Sequence, residues 1–339
     1  MLAEAGIREQ RGLIRRLLRT GVGLGQDGTS RLNLKISAAA LEEMRAAFNL
    51  FAPYDGTPKV TIFGSARTQS HDPLWIEAEA VSRRLAEQGW IVVTGAGPGI
   101  MEAAATGAGP EQSLGVSIRL PFEQVPEHLR VAGARLVSMK YFFTRKLMLV
   151  KESRGFVCLP GGFGTMDETF ELLTLQQTGK MTPVPMVLLD RPGGDFWGGF
   201  ERFVVEQLEG TGMIARGDLD RVLITDSVEA AANEITGFWR NYDSLRWVDH
   251  QLVMRLRSAP SDEEIDELNV RFAGMIEEGR IERTDPLPPE RGDRDALELP
   301  RIVFVPKQRA VGDLYRLIGA LNELPSAPSV SEAPPLPSE

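Results

Sequence analysis

Between residues 58 and 240 the chain repeats one pattern: a short run of apolar residues, a glycine-containing turn, then a stretch with helical periodicity. KVTIF, WIVVT, LGVSIRL, ARLVSM, GFVCLP, VPMVLLD and RVLITD read as strands, with helices predicted over 74–88, over 141–153 and after the PGGFGT turn. Strands that are apolar without alternation are buried on both faces, and strand–helix alternation marks a parallel sheet covered by helices. The predicted fold class is α/β: a Rossmann-like, doubly wound parallel sheet over 56–240.

The flanks read differently. Ile7, Leu13, Ile14, Leu17 and Leu18 recur at helical spacing among Arg8, Arg11, Arg15, Arg16 and Arg19. A second helix is predicted over 37–51, with GVGLGQDG as the loop between them. Residues 1–55 thus form a helical extension that packs on the main domain or on a partner subunit. A membrane-surface or nucleic-acid role for its arginine face is the alternative that composition leaves open. After residue 240, residues 261–279 read as one acidic helix with Ser261 as N-cap, RTDPLPPERGDRD as a loop, RIVFVP as a strand and VGDLYRLIGALNEL as a final helix. The expectation is a small α/β extension over 241–325 and a disordered Pro/Ser-rich tail over 326–339.

Composition narrows the function classes. Lys plus Arg is 38 and Asp plus Glu 47 in 339 residues, a net charge of −9. That balance argues against a non-specific binder of nucleic acid or membrane, which needs clustered positive charge, though not against a small anion held by a few placed donors. The single cysteine, Cys158, excludes an intrachain disulfide and fits a reducing compartment; on an apolar strand it is expected to be a buried small hydrophobe. His71, His128 and His250 lack metal-ligand spacing, so no metal site is expected, and His128 reads as an exposed loop residue. The tryptophans read as packing residues. No apolar run approaches the ~20 residues of a membrane span, and the N-terminus lacks a signal-peptide apolar block. A cytoplasmic protein is expected.

The 34 glycines are unevenly placed. Gly64-Ser65, Gly95 to Gly99 and Gly161 to Gly164 all fall where strands end and helices begin. In doubly wound folds ligands bind at the carboxyl ends of the strands, and glycine turns let backbone amides approach an anion. GAGPG is neither the G-x-G-x-x-G fingerprint nor a Walker loop. In PGGFGTMDE, Thr165 is placed at a helix start with Asp167 and Glu168 in the first turn. Dipole complementarity accounts for Asp167 there, and less well for Glu168 beside a phosphate pocket. TRKLMLVKE puts Arg145 and Lys146 on the helix before the same strand.

PGGFGTMDE resembles the P-G-G-x-G-T-x-x-E signature of the Lonely Guy family, nucleoside 5′-monophosphate phosphoribohydrolases often misnamed lysine decarboxylases. FGSAR, TGAGPGIMEAA and YFFTRK are similar to further motifs of that family, in the same order, over 58–240. The resemblance implies hydrolysis of an N-glycosidic bond in AMP or a cytokinin riboside monophosphate, without a cofactor, in a homodimer or higher homo-oligomer. It implies Arg145 and Glu168 as the catalytic pair, and Gly161, Gly162, Gly164 and Thr165 around the 5′-phosphate. It implies Gly64, Ser65, Gly97 and Gly99 as further substrate-binding positions, Glu102 at the ribose, and Met139 and Lys146 near the base or the pocket wall. SMKYFFTRK is longer than the S-M-H-x-R-K of plant-type members, which moves Met139 relative to Arg145 and resembles the longer bacterial type.

Three rival classes make distinct demands. A non-catalytic nucleotide or molybdenum-cofactor carrier of the same fold would keep the glycine turns without needing both Arg145 and Glu168. A pyridoxal-phosphate decarboxylase would need a Schiff-base lysine in a much longer chain. A nicotinamide oxidoreductase would need G-x-G-x-x-G after the first strand, where FGSAR stands.

Overall fold

The apolar runs form the sheet they predict. The computed structural model describes residues 2, 5–119, 135–307 and 311–329. β1 (Lys59–Phe63), β2 (Ile91–Thr94), β3 (Ser113–Ile118), β4 (Leu136–Met139), β5 (Gly155–Cys158), β6 (Met186–Leu189) and β7 (Val222–Thr225) make a 7-stranded sheet in the order β4-β3-β2-β1-β5-β6-β7. Every pairing in it is parallel. β1, β2, β5 and β6 are buried from end to end, which is why their sequences carry no polar alternation. The helices that flank the sheet are α3 (Pro73–Glu87), α4 (Ile100–Ala108), α5 (Phe142–Lys151), α6 (Phe163–Gln177), α7 (Phe196–Phe203) and α8 (Val228–Gly237). Strand order runs outward one way from β1 to β4, then resumes on the other side of β1 at β5. The crevice where it reverses, between β1 and β5, is where this architecture places ligands.

The N-terminal helices are longer than the sequence suggested. α1 (Arg11–Gln26) continues through Gly21, Gly23 and Gly25, so the expected loop is mostly helix. Val22 and Leu24 carry the apolar period across those glycines, each of which costs a helix only about 1 kcal/mol. The break comes at Gly28, with φ 66°, and Ser30, whose hydroxyl caps α2 (Arg31–Phe51) by accepting from Asn33 N at 3.3 Å. The buried face of α2, through Ala47, Leu50 and Phe51, packs on β4 and α5.

Beyond the parallel sheet lies a 4-stranded antiparallel sheet, order β10-β11-β9-β8, most of which the sequence reading missed. β8 (Tyr242–Val248) and β9 (Gln251–Leu256) form a hairpin that turns at Asp249, φ 54°. The acidic helix α9 (Asp262–Arg271) has the expected Ser261 cap but stops early. Residues 276–279, expected to be helical, begin β10 (Ile276–Arg283). β10 lies at the edge, where charged side chains face water and Gly279, at φ 73°, breaks the strand period; a solvated edge strand therefore looks like a polar helix in sequence. α10 (Pro288–Asp293) lies inside the expected loop, followed by β11 (Arg301–Pro306) and α11 (Val311–Glu323). Asn322 on α11 fastens this sheet, accepting from Asn241 N at 2.8 Å and Tyr242 N at 2.9 Å. Residues 326–329, expected in the disordered tail, are pinned instead: Ser326 N donates to Glu264 at 2.9 Å and Arg240 donates to Pro328 O at 2.6 Å. His128 and the rest of the tail lie outside the described residues. No described helix is long and apolar enough to cross a membrane.

Candidate active site

The glycine turns after β1, β2 and β5 meet at the switch point and are stitched together by Ser65. Its amide donates to Pro160 O at 3.2 Å, its carbonyl accepts from Ile100 N at 3.0 Å, and its hydroxyl accepts from Arg67 N at 3.1 Å. Two glycines are required by this closeness. At Gly99, φ is 70° and a Cβ would overlap the Ser65 carbonyl; at Gly161 a Cβ would overlap the Thr165 side chain. Beside them Ala96 holds φ 52° while buried, a conformation unfavourable for any residue with a Cβ.

These turns floor a cleft of 1490 Å³. Of the residues singled out in the sequence, Gly64, Ser65, Gly97, Gly161, Gly162, Gly164, Thr165, Arg145 and Glu168 line it together. Gly99, Glu102, Met139 and Lys146 do not. Met139 is fully buried, and Glu102 sits in the first turn of α4. Lys146 is paired with Asp167 at 2.8 Å and Glu171 at 2.6 Å.

α6 opens into the cleft. Its first intrahelical bond is Met166 N to Gly162 O, at 3.0 Å, so the amides of Phe163, Gly164 and Thr165 have no partner within the helix. Together with the helix dipole they make an anion site. Because α6 starts at Phe163, Asp167 and Glu168 fall in its second turn, not its first. Asp167 therefore answers Lys146 more than the dipole, and Glu168 turns toward Arg145.

Arg145, on α5, is 8% exposed. Its Nε donates to Val116 O at 2.9 Å and its Nη2 to Gly95 O at 3.3 Å, while Nη1 stands 3.6 Å from Glu168 Oε1. Burial pushes the Glu168 carboxyl up to about 7, with Arg145 and Lys146 pulling the other way. Burial likewise lowers the pKa of Arg145, opposed by Glu168. The result is a carboxyl that changes protonation near neutral pH, held against a fixed guanidinium at the edge of an anion site.

Sequence reasoning missed the aromatic wall. Phe142, Phe163, Phe170, Phe196, Phe200 and Phe203 line the cleft, as do Arg67 and Arg119. The signal was present in FWGGFERF, which follows the carboxyl end of β6 and places Phe196, Phe200 and Phe203 on one helical stripe. Cys158 is wholly buried, and burial pushes its thiol up to about 12, so it is an inert core residue as expected. Trp90, Trp197 and Trp239 are core residues too, whereas Trp247 is exposed.

Fold and site together define a doubly wound α/β protein whose switch-point cleft is built to hold an anion beside a titratable carboxyl. Comparison with known proteins makes this more specific. Residues 99–235 match the family described as "Possible lysine decarboxylase". The cytokinin riboside 5′-monophosphate phosphoribohydrolase of Mycobacterium marinum is 28% identical over 172 residues, 49% of this chain and 87% of that protein. The protein of the same description from Mycobacterium tuberculosis is 27% identical over the same shares. Among solved structures, the molybdenum cofactor binding protein of Rippkaea orientalis is similar at 22% identity and a TM-score of 0.37, covering 51% of this chain and 91% of that one. The parallel-sheet region of this chain is thus similar in sequence to phosphoribohydrolases of the kind the Lonely Guy motifs resemble, and its fold is the one those motifs imply.

Proposed function

We propose that this chain hydrolyses the N-glycosidic bond of a nucleoside 5′-monophosphate, releasing the free base and ribose 5-phosphate. The observation that carries the reading is the pairing of buried Arg145 with partly buried Glu168, which opens onto the same cleft as the free amides of α6. The phosphate sits on those amides with Gly161, Gly162, Gly164 and Thr165. The bond from C1′ to the base nitrogen breaks through a cationic, oxocarbenium-like sugar, which ionised Glu168 stabilises. As the C1′–N bond breaks its electron pair stays on the base nitrogen, which takes a proton from solvent; water adds to C1′ and gives its proton to Glu168, which releases it to solvent and returns to the ionised form. A carboxyl titrating at about 7 suits this proton transfer at neutral pH. Arg145, tied to two carbonyls, orients the carboxylate as a fixed fork. Glu102, which does not line the cleft, has no direct ribose contact in this reading. Met139 acts as packing behind the wall, and Lys146 steadies α6 through Asp167 and Glu171.

The aromatic wall supports a purine base, AMP or a cytokinin riboside monophosphate, because flat rings stack on aromatic faces. Phe163 is 98% exposed and Phe142, Phe143 and Leu147 are also exposed, which supports a second copy covering the cleft mouth in a homodimer or higher oligomer. Decarboxylation has little support: no lysine is among the described residues lining the cleft. At Lys146 burial lowers the amine's pKa, but Asp167 and Glu171 outweigh it and keep the amine protonated.

The test is a panel of purine and pyrimidine 5′-monophosphates with mass-spectrometric detection of released base. Base release that Glu168→Gln lowers about 10²–10⁴-fold, with nucleotide binding retained, is the expected result. Near-normal hydrolysis by that variant would overturn the assignment of Glu168. Binding without base release by the wild type would favour the carrier reading.

A further inference from the structure

The carboxylate that organises the start of α5 does not come from the parallel-sheet region at all. It belongs to Glu43, on α2 of the N-terminal extension. Glu43 is 6% exposed. One of its oxygens accepts from Lys140 N at 2.7 Å and meets Arg119 Nη2 at 3.3 Å. The other accepts from the Thr144 hydroxyl at 2.7 Å and from Tyr141 N at 3.4 Å. Tyr141, the N-cap residue of α5, makes no side-chain cap of its own. Glu43 instead anchors the entry to the helix through the amides of Lys140 and Tyr141 and, from 101 residues away in sequence, the Thr144 hydroxyl, and it places negative charge where the helix dipole favours it.

The geometry gives this anchor a reach into the site. Thr144 is completely buried and immediately precedes Arg145, so the turn from Lys140 to Arg145 is tied to α2 by amides and a hydroxyl together. Arg119, the cationic partner of Glu43, lines the cleft itself. A carboxylate held by these partners cannot move without losing several bonds in a place where water replaces them poorly.

We propose that Glu43 is a positioning residue, which sets the placement of Arg145 against Glu168 through the N-terminus of α5, and that the N-terminal extension is thereby part of the active-site framework. Its kinetic consequence rests on the hydrolase reading; its structural consequence does not.

The test uses full-length Glu43→Ala and Glu43→Gln with two readouts, each taken well below the variant's unfolding temperature. One is steady-state base release from the best substrate of the panel. The other is the titration midpoint of the Glu168 carboxyl carbon by ¹³C NMR, which needs no turnover. Glu43→Ala is expected to lower kcat on the order of 10²-fold, the effect of a displacement of about 1 Å, with a smaller change in KM. It is also expected to raise the Glu168 midpoint as Arg145 recedes. Glu43→Gln, which keeps acceptor oxygen at the same place, is expected to fall between Ala and wild type. A folded Glu43→Ala with wild-type kcat and an unchanged midpoint overturns the proposal. Should Glu43→Ala not fold, Thr144→Val removes only the hydroxyl link; a lower kcat and raised midpoint support the proposal, and no change in either overturns it. If the wild type releases no base from any nucleotide, the hydrolase reading fails, and the Glu168 midpoint alone decides the role of Glu43.

Discussion

Replacing Arg145 by methionine removes the charge facing Glu168 while keeping a long, apolar side chain in a buried slot. At 3.6 Å, two unit charges in a medium of effective dielectric about 20 attract by about 4–5 kcal/mol. At 1.36 kcal/mol per pH unit, that is a rise on the order of three units in the Glu168 midpoint. This is a ceiling, because the cleft admits water and Lys146 remains as a second, weaker cation. A rise of at least about one unit above the wild-type value of about 7 is expected. The assay is ¹³C NMR of carboxyl-labelled glutamate, with the Glu168 resonance assigned by its loss in Glu168→Gln. In the wild type, kcat/KM should rise with pH along the same midpoint, since the proposed reaction uses the ionised form. A midpoint in Arg145→Met that stays put or falls would refute the coupling and leave burial as the whole cause of the perturbation.

Further outcomes follow from particular contacts. A Cβ at Gly95 would overlap the guanidinium of Arg145, so Gly95→Ala should lower kcat/KM by more than about tenfold, the scale of a misplaced catalytic group, as initial-rate kinetics would show. Gly164 has open space around it; Gly164→Ala should raise thermal stability by about 0.5–1 kcal/mol, while raising KM because the methyl group enters the proposed phosphate site. Glu290 is fully buried and accepts from Arg255 at 2.8 Å and Arg301 at 2.8 Å. Burial alone would raise its pKa, but the Leu287 amide and both arginines outweigh that and hold it below the usual carboxylate value. Its contribution is thus full above that usual value and lost as pH falls through the depressed one, and Glu290→Gln should cost about 3–5 kcal/mol in denaturant unfolding at neutral pH. Glu168 behaves oppositely: its stabilising protonation is complete below the ordinary glutamate value of 4.5 and lost as pH rises through about 7. Melting temperature between those limits should fall with pH less steeply in Glu168→Gln than in the wild type.

The sequence alone settled what local patterning can settle. A strand buried on both faces must be apolar throughout, so β1, β2, β5 and β6 were visible as uninterrupted runs. Glycines at strand ends, the signature on α6 and the Arg-Lys pair on α5 named nine of the residues that line the cleft, Arg145 and Glu168 among them. The antiparallel sheet was hidden, because β10 is a charged edge strand whose register partner lies on β11, well downstream. The extra helical turns of α1 were hidden by glycines that cost less than the apolar period around them repays.

Only the tertiary structure decided the rest, because each remaining property depends on neighbours distant in sequence. The reversal of strand order between β1 and β5 brings the glycine turns together. The near-neutral carboxyl of Glu168 is a balance of burial against a charge on another helix, and no residue type encodes that balance. The role of Glu43 is the clearest case. In sequence it is one acid in an amphipathic helix, and only the packing of α2 on β4 and α5 turns it into the anchor for the start of the helix that carries Arg145.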